Sequence, residues 1–494
     1  MASDVKLDGA GRARLSSRAI TVSAPGWTGS ARLRDPAPST KRGPVEVEVL
    51  PDDAVHGAGM TVVADLEIRA APDRNVTTGA RGGAAAPAIA VTLDQPRPDR
   101  DYALLQRDAS GLLRWVFPKQ KDAGSVSFSL NQPISHAPKT GDGKRGPLTA
   151  AMRIGARIVS WAADGVTGKL ARQVALAWEE KRRPYFLKAM GCDGTEAEPV
   201  WDNLLSGRTL LLVHGTFSTP GAGFYGLFGS EEFNTILSRY DRRCLAFAHP
   251  SLSAGVEDNV EELIERLRKA LPVSKKLDVD IICHSRGGLV SRAIAAAVSM
   301  GKLPLRIGKL VMIGAPNRGT PLTDITHWRD FIDCHTNLLV ALPDSVSTVG
   351  LEGVLCLVKI IGGGAVPGLP GLAAMQAGGQ LLASLGKENL GEVRLYAIVG
   401  DFSPEPDSAL ARLLMKGGKA GVDAFFGEAN DLVVPTKGCH DLTGVKGFPL
   451  AAERIHQFSG HTVNHVTFFQ SRSVRQTLAA VLADDDGNLP ANQT

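Results

Sequence analysis

Ser285 stands where a serine hydroxyl can become a nucleophile. The run Val279-Asp280-Ile281-Ile282-Cys283 is apolar enough for a buried strand, His284-Ser285-Arg286-Gly287-Gly288 follows at once, and the pattern from Leu289 to Ser299 is helical. Strand, sharp turn and helix in that order leave the serine at an apex, with a strained backbone and an exposed hydroxyl. Such an apex needs small neighbours two residues to either side. Gly287 meets the requirement; Cys283 stands where glycine is usual, and is compact enough to fit. An isolated S-x-G would more simply cap a helix, and the flanking elements are what favour the nucleophile.

A serine hydroxyl is a poor nucleophile until an imidazole takes its proton and a carboxylate fixes that imidazole. Downstream of Ser285 the preferred acid is Asp431, in Asn430-Asp431-Leu432-Val433-Val434-Pro435, with Asp401 as runner-up in Gly400-Asp401-Phe402. Two histidines near the end, His461 and His465, compete for the base. His465 is preferred because it stands closer to the last helical pattern, through Val474, Leu478 and Val481. His284, beside the nucleophile, is read as packing. The second requirement is a pair of backbone donors for the oxyanion. The strand Thr209 to Val213 runs into His214-Gly215-Thr216-Phe217, and the amides of Thr216 and Arg286 are the expected donors, one from this loop and one from the residue after the nucleophile. Gly215 lets the chain approach the substrate, and His214 is read as a satisfied buried histidine that orients the loop.

These residues must be positioned by a sheet. From about Val200, short apolar runs alternate with helical patterns: strands at Thr209 to Val213, Cys244 to Ala248, Val279 to Cys283, Leu310 to Ile313 and Val393 to Val399, and helices at Asp258 to Leu271 and Leu289 to Ser299. That alternation marks an α/β fold with a doubly wound, mostly parallel sheet. The expected domains are a β-rich N-terminal domain over 1–145, a helical connector over 146–200 and a catalytic domain over 201–494 with a cap insertion at about 321–392. Val45 to Val49 and Thr61 to Leu66 are the strand candidates of the first domain. Ile154, Ile158 and Trp161, then Leu170, Val174 and Trp178, recur at helical spacing and suggest two connector helices. The insertion is rich in Leu, Val, Ala and Gly, with Gly362, Gly363 and Gly364 as hinges. It is expected to shelter an acyl chain from water.

Together these motifs resemble the α/β-hydrolase superfamily, especially its bacterial lipase branch and GPI-inositol-deacylase-like esterases, over about Leu204 to Leu482. His214-Gly215 is similar to the H-G loop of such lipases, and Asn430-Asp431-Leu432-Val433-Val434-Pro435 to their N-D-G-x-V-P acid loop with leucine for glycine. Asn464-His465 resembles their N-H base motif, and Gly314-Ala315-Pro316-Asn317-Arg318-Gly319-Thr320 their T-P-x-x-G-[ST] segment. The resemblance implies a serine esterase or lipase with the triad Ser285, Asp431 and His465. An amidase or peptidase on the same scaffold, and a binding protein with a relict hydrolase fold, are the rival classes.

Composition sets the outer bounds. The 494 residues carry 55 Lys and Arg against 51 Asp and Glu with no long basic block, which excludes a phosphate-tracking nucleic-acid surface. The six cysteines are scattered without a C-x-x-C pair, as in a cytoplasmic protein with reduced thiols. No signal-like apolar run follows Met1, and Val340 to Leu385 reads as too interrupted by Pro343, Asp344, Glu352, Lys359, Pro367 and Pro370 to span a membrane. No metal or cofactor motif is present, so no cofactor is expected. The expected partner is a small-molecule ester or lipid. Contact with a membrane periphery and a protein partner held through the N-terminal domain are further partners this architecture allows.

Overall fold

Five apolar runs of the sequence become the centre of one eight-stranded sheet. The computed structural model describes residues 4–15, 19–34, 50–72, 89–109, 111–122, 124–130, 152–163, 170–324, 327–364, 368–405 and 426–484. The strand expected at Val45 to Val49 lies outside these residues. The chain divides into two units, one of Met1–Lys169 with Leu357–Ala365 and Asp407–Arg412, the other of Leu170–Cys356, Val366–Pro406 and Leu413–Thr494.

In the second unit the strands are β1 (Phe186–Met190), β2 (Glu196–Ala197), β3 (Thr209–Val213), β4 (Cys244–Ala248), β5 (Leu277–His284), β6 (Leu305–Ile313), β7 (Arg394–Phe402) and β8 (Ile455–Gly460). Their order across the sheet is β2-β1-β4-β3-β5-β6-β7-β8. From β4 to β8 every pairing is parallel, and β1 joins β4 antiparallel. All residues of β3 and β4 are buried, as expected where helices cover both faces of a parallel sheet. Chain direction across the sheet reverses at β3, from which the chain goes to β4 on one side and later to β5 on the other. Ligands of open α/β sheets bind outside the carboxyl ends of strands at such a switch point, which here is where Thr216 and Ser285 emerge.

Helix α1 (Ala171–Arg182) precedes β1, α2 (Val256–Ala270) lies between β4 and β5, and α3 (Gly287–Ser299) follows β5. Between β6 and β7 the insertion folds as helices α4 (Trp328–Leu339), α5 (Asp344–Gly362) and α6 (Pro370–Ala373), with a short further helix at Gln380–Leu385. The last helix, α7 (Arg472–Ala483), buries Val474, Leu478 and Val481 in the core that holds Leu210, Leu212, Ile282, Val311 and Ile398 of the sheet.

Two expectations are corrected. The stretch through Ile154, Ile158 and Trp161 is a strand, Met152–Ala162, at the centre of a six-stranded sheet in the first unit. Ile154, Ala156 and Ile158 are buried at strand period, and a bulge between Ile158 and Val159 then shifts the phase so that Val159 and Trp161 are buried too. The bulge thereby reproduces the i, i+4, i+7 spacing of a helix. The predicted connector therefore has one helix, α1, with Val174 and Trp178 buried and Leu170 exposed, and β1 and β2 already belong to the main sheet. Secondly, Asp344, Glu352 and Lys359 do not break α5, a helix of 19 residues that by length and composition alone is apolar enough to cross a membrane, and that is mostly buried within the protein. Its Glu352 is buried and pairs with Arg182 and, at 3.2 Å, with Arg183.

The six-stranded sheet of the first unit and a five-stranded sheet (Arg12–Leu15, Ile20–Ser23, Ala90–Asp94, Ser125–Ser129, Gln120–Asp122) share one core, with Leu66, Ile68 and Ile154 from the former and Ile20, Val91 and Phe128 from the latter. Together they make a β-sandwich.

Candidate active site

The turn after β5 is set by backbone contacts that leave no room for larger residues. Ser285 has φ +54°, a left-handed conformation that costs a non-glycine residue about 1–2 kcal/mol. It is held by its own N–H to Ile313 O at 2.9 Å and by Gly288 N–H to its carbonyl at 2.8 Å. A Cβ on Gly287 would lie 2.4 Å from Val213 O, and one on Gly215 would lie 2.7 Å from Ser285 Cβ. Cys283 is fully buried with Sγ 3.5 Å from Val311 O, and burial raises its thiol to about 12; it is inert packing on the β6 side.

Three distant side chains converge on that turn. His465 Nε2 lies 2.9 Å from Ser285 Oγ, and His465 Nδ1 lies 2.8 Å from Asp431 Oδ2. The remaining carboxylate oxygen, Oδ1, accepts the N–H groups of Val433 at 3.0 Å and Val434 at 2.7 Å, which fixes the carboxylate plane. Asp431 O also accepts His465 N–H at 2.9 Å. The acid loop turns at Leu432, whose φ of +81° is the conformation that glycine adopts freely. The leucine is held there by its N–H to Asn430 Oδ1 at 2.9 Å and by complete burial of its side chain.

The other acid and base candidates lie elsewhere. Asp401 faces Gln457 and Ser459 on the neighbouring strand β8, and His461 is exposed beside Glu405. His284 reaches Nε2 to His465 O at 2.8 Å. A carbonyl only accepts, so that nitrogen carries the proton, and His284 clamps the backbone at His465.

The Thr216 and Arg286 backbone N–H groups have no protein acceptor among the described residues. Next to them, Phe217 N–H, at φ +58°, donates to Ser251 Oγ at 3.2 Å. His214 donates Nδ1–H to Gly215 O at 2.8 Å and accepts His249 N–H on Nε2 at 3.2 Å, so both ring nitrogens serve the loop. Sequence reasoning missed the support beneath it. The fully buried Glu179 of α1 accepts the N–H groups of Ser251, Leu252 and Ser253 at 2.7–2.9 Å and the Ser253 hydroxyl at 2.6 Å. This carboxylate orders the loop after β4 that carries the Ser251 hydroxyl. A glutamate among Glu179-Glu180-Lys181 looks like a solvated helix face, and only the fold reveals its role. The Arg286 side chain is also fully buried, and donates to Ala254 O at 2.8 Å, Asn259 Oδ1 at 3.0 Å and Gly371 O at 3.2 Å.

In front of Ser285 a pocket is lined by Phe217, Phe331, Leu339, Leu342, Val346 and Met375, among others. The insertion supplies five of these six, Phe331 and Leu339 from α4, Val346 from α5, and Leu342 and Met375 from its connecting segments. Among the described residues no group of three or more His, Cys, Asp or Glu is arranged to hold a metal.

With β3 and β5 flanking the switch point, a serine at the apex after β5 and a strand-end loop opposite it, this is the α/β-hydrolase fold. The sequence matches the family described as Domain of unknown function (DUF7379) over residues 182–483. The chain belongs to the DUF7379 family. Its match begins just before β1, where the sheet begins. No curated protein matches this DUF7379 chain. Among solved structures it is similar to the mature form of the Bacillus licheniformis lipase BlEst2, at 15% identity and TM-score 0.35, over 60% of this chain and 97% of that one. It is similar to lipase 1 from Pelosinus fermentans at 12% identity and TM-score 0.35, over 56% and 97%. The phospholipase PlaB from Legionella pneumophila is similar at 15% identity and TM-score 0.28, over 47% of this chain; the chain spans less than half, 46%, of that protein.

Burial of histidines around this site makes an acid-labile fold. Burial lowers His214 to about 4 and His335 to about 3, and pushes His249 well below its ordinary value. Each is neutral when folded, whereas the unfolded chain takes up these protons below about pH 6.5. The unfolded state then binds more protons, so stability is complete above about 6.5 and is lost as pH falls toward 4. Each histidine contributes up to about 1.4 kcal/mol per pH unit in that window. Urea unfolding followed by tryptophan fluorescence is expected to show a midpoint falling steeply between pH 6.5 and 5, and a flat midpoint would contradict it.

Proposed function

We propose that this protein is a serine hydrolase that cleaves a carboxylic ester through an acyl-enzyme on Ser285. The observation that carries the reading is the hydrogen-bonded chain from Ser285 Oγ through His465 to Asp431. With Nδ1–H donated to Asp431, the Nε2 lone pair of His465 faces the serine hydroxyl and takes its proton as Oγ attacks the ester carbonyl. The negative charge that forms on the carbonyl oxygen is received by the unpaired amides of Thr216 and Arg286. Nε2–H then passes its proton to the leaving alkoxide. A water gives its proton to Nε2, attacks the acyl carbon and releases the acid, and the proton returns to Oγ. The apolar wall from α4 and α5 suits a hydrocarbon acyl group, so the substrate class is an ester or lipid with an apolar acyl chain.

The test is covalent. A fluorophosphonate probe should form one adduct on the wild-type protein, mapped by peptide mass to Ser285, in parallel with hydrolysis of 4-nitrophenyl esters of graded chain length. An adduct on another residue removes Ser285 as the nucleophile. Absence of both adduct and ester hydrolysis leaves the fold without this chemistry.

A further inference from the structure

His335 is the odd member of the apolar wall before Ser285. It sits on α4, 7% exposed, with Phe331 at 4.2 Å between ring centroids and Phe217 edge-on at 5.4 Å. Its Nδ1 lies 2.9 Å from Phe331 O, the carbonyl one turn earlier in the same helix. A carbonyl accepts and never donates, so Nδ1 carries the ring proton. Nε2 is then a bare lone pair on the edge of the ring away from its own helix. Among the described residues no protein donor reaches it, and the residue borders the pocket. The ring does not escape the difficulty by taking a second proton, because burial, aided by the nearby His465, holds it neutral down to about pH 3.

An acceptor that opens on the pocket loses its hydrogen bonding when a purely apolar chain covers it, and an apolar phenylalanine would line the same wall without that loss. Neither the folding of α4 nor the proton transfers at Ser285 uses Nε2. What remains is the ligand. Resting on the serine-esterase reading above, we infer that His335 is a specificity determinant whose Nε2 accepts a hydrogen bond from a hydroxyl on the substrate chain held in this pocket, so that the preferred ester carries a free hydroxyl rather than a plain hydrocarbon. The hydroxyl can be on the acyl chain or on the alcohol, and the chemistry at Nε2 is the same. A pocket that hydrogen-bonds a substrate hydroxyl discriminates far more strongly against the analogue lacking it than an apolar pocket does against an added one.

The experiment uses the full chain and two arms. On the acyl side, 4-nitrophenyl octanoate is compared with its positional hydroxyoctanoate isomers and with the matching methoxy esters, which lack the donor. On the alcohol side, ethyl octanoate is compared with 2-hydroxyethyl octanoate by titration of released acid. One hydroxylated ester is expected to exceed its plain parent in kcat/KM by about tenfold or more, with no gain for the methoxy analogue, and the arm in which this occurs assigns the hydroxyl. In His335→Phe, which keeps the aromatic contacts, the ratio should fall to one or below, and in His335→Gln, whose amide oxygen still accepts, part of the preference should return. Should either variant misfold by circular dichroism, the hydroxy-to-methoxy comparison on the wild-type protein still decides. If no hydroxylated ester in either arm exceeds its parent, or if the preference survives in His335→Phe, the inference is overturned. Failure of the underlying reading looks different: no fluorophosphonate adduct, and no turnover even of plain octanoate.

Discussion

Ser285→Ala is expected to lower kcat for ester hydrolysis by about 10⁵- to 10⁶-fold, and His465→Ala by a similar factor, while the double variant loses little more than either alone. The non-additivity follows from the 2.9 Å contact between Nε2 and Oγ: without the imidazole the hydroxyl keeps its proton, and without the hydroxyl the imidazole has nothing to activate. Residual rate above the uncatalysed reaction should persist, because the Thr216 and Arg286 amides are backbone groups that neither substitution removes. The fold should survive Ser285→Ala, since Oγ contributes no bond to the turn; the bonds that hold it come from Ser285 N and O. Steady-state kinetics with a nitrophenyl ester, beside thermal melts, checks both halves. Losses that multiply in the double variant would mean that the two side chains do not act as one unit.

Asp431→Asn is expected to cost about 10⁴-fold in kcat with little change in KM, for a reason visible in the hydrogen bonds of that carboxylate. Oδ1 accepts the N–H groups of Val433 and Val434. In the amide, the oxygen must take that position, because an NH₂ there would oppose two donors. The NH₂ then faces His465 Nδ1, which has to become an acceptor, and the ring proton moves to Nε2. An imidazole that carries its proton on Nε2 cannot accept another from Ser285. The pH–rate profile distinguishes this from simple loss of structure. Activity should recover partly at high pH, where hydroxide or a pre-ionised serine replaces the blocked base, and a misfolded variant would not recover.

The side chains that converge at Ser285 could be found from sequence because each stands in a short pattern with a physical cause. Gly287 and Gly215 are small where a Cβ would strike backbone or the nucleophile itself, and Asn430-Asp431 and Asn464-His465 are tight polar turns ahead of apolar runs. The central strands were equally visible, since burial on both faces demands unbroken apolar runs, and Thr209–Val213 and Cys244–Ala248 have the expected limits. Half-buried strands toward the margins of the sheet carry a weaker signal. Phe186–Met190 contains Lys188, and Ile455–Gly460 contains His456, Gln457 and Ser459, so neither reads as a strand until a partner is known. The bulged strand Met152–Ala162 imitates a helix outright. Glu179 and His335 escaped for a further reason: their roles depend on what lies opposite them in space, a loop 72 residues away in one case and the pocket before Ser285 in the other.

The guanidinium of Arg286 ends, through its bond to Gly371 O, on helix α6 of the insertion. The residue whose amide follows Ser285 without a protein acceptor among the described residues thus also carries, on its side chain, a fastening for the segment that roofs the pocket. Transplanting a roof from a related protein would consequently leave the buried Arg286 Nε without its acceptor unless the donor segment brings a carbonyl to the same spot. Roof and floor of this pocket are therefore not interchangeable modules, and recombination between homologues should be tolerated only at junctions that keep residues 286 and 371 from the same parent.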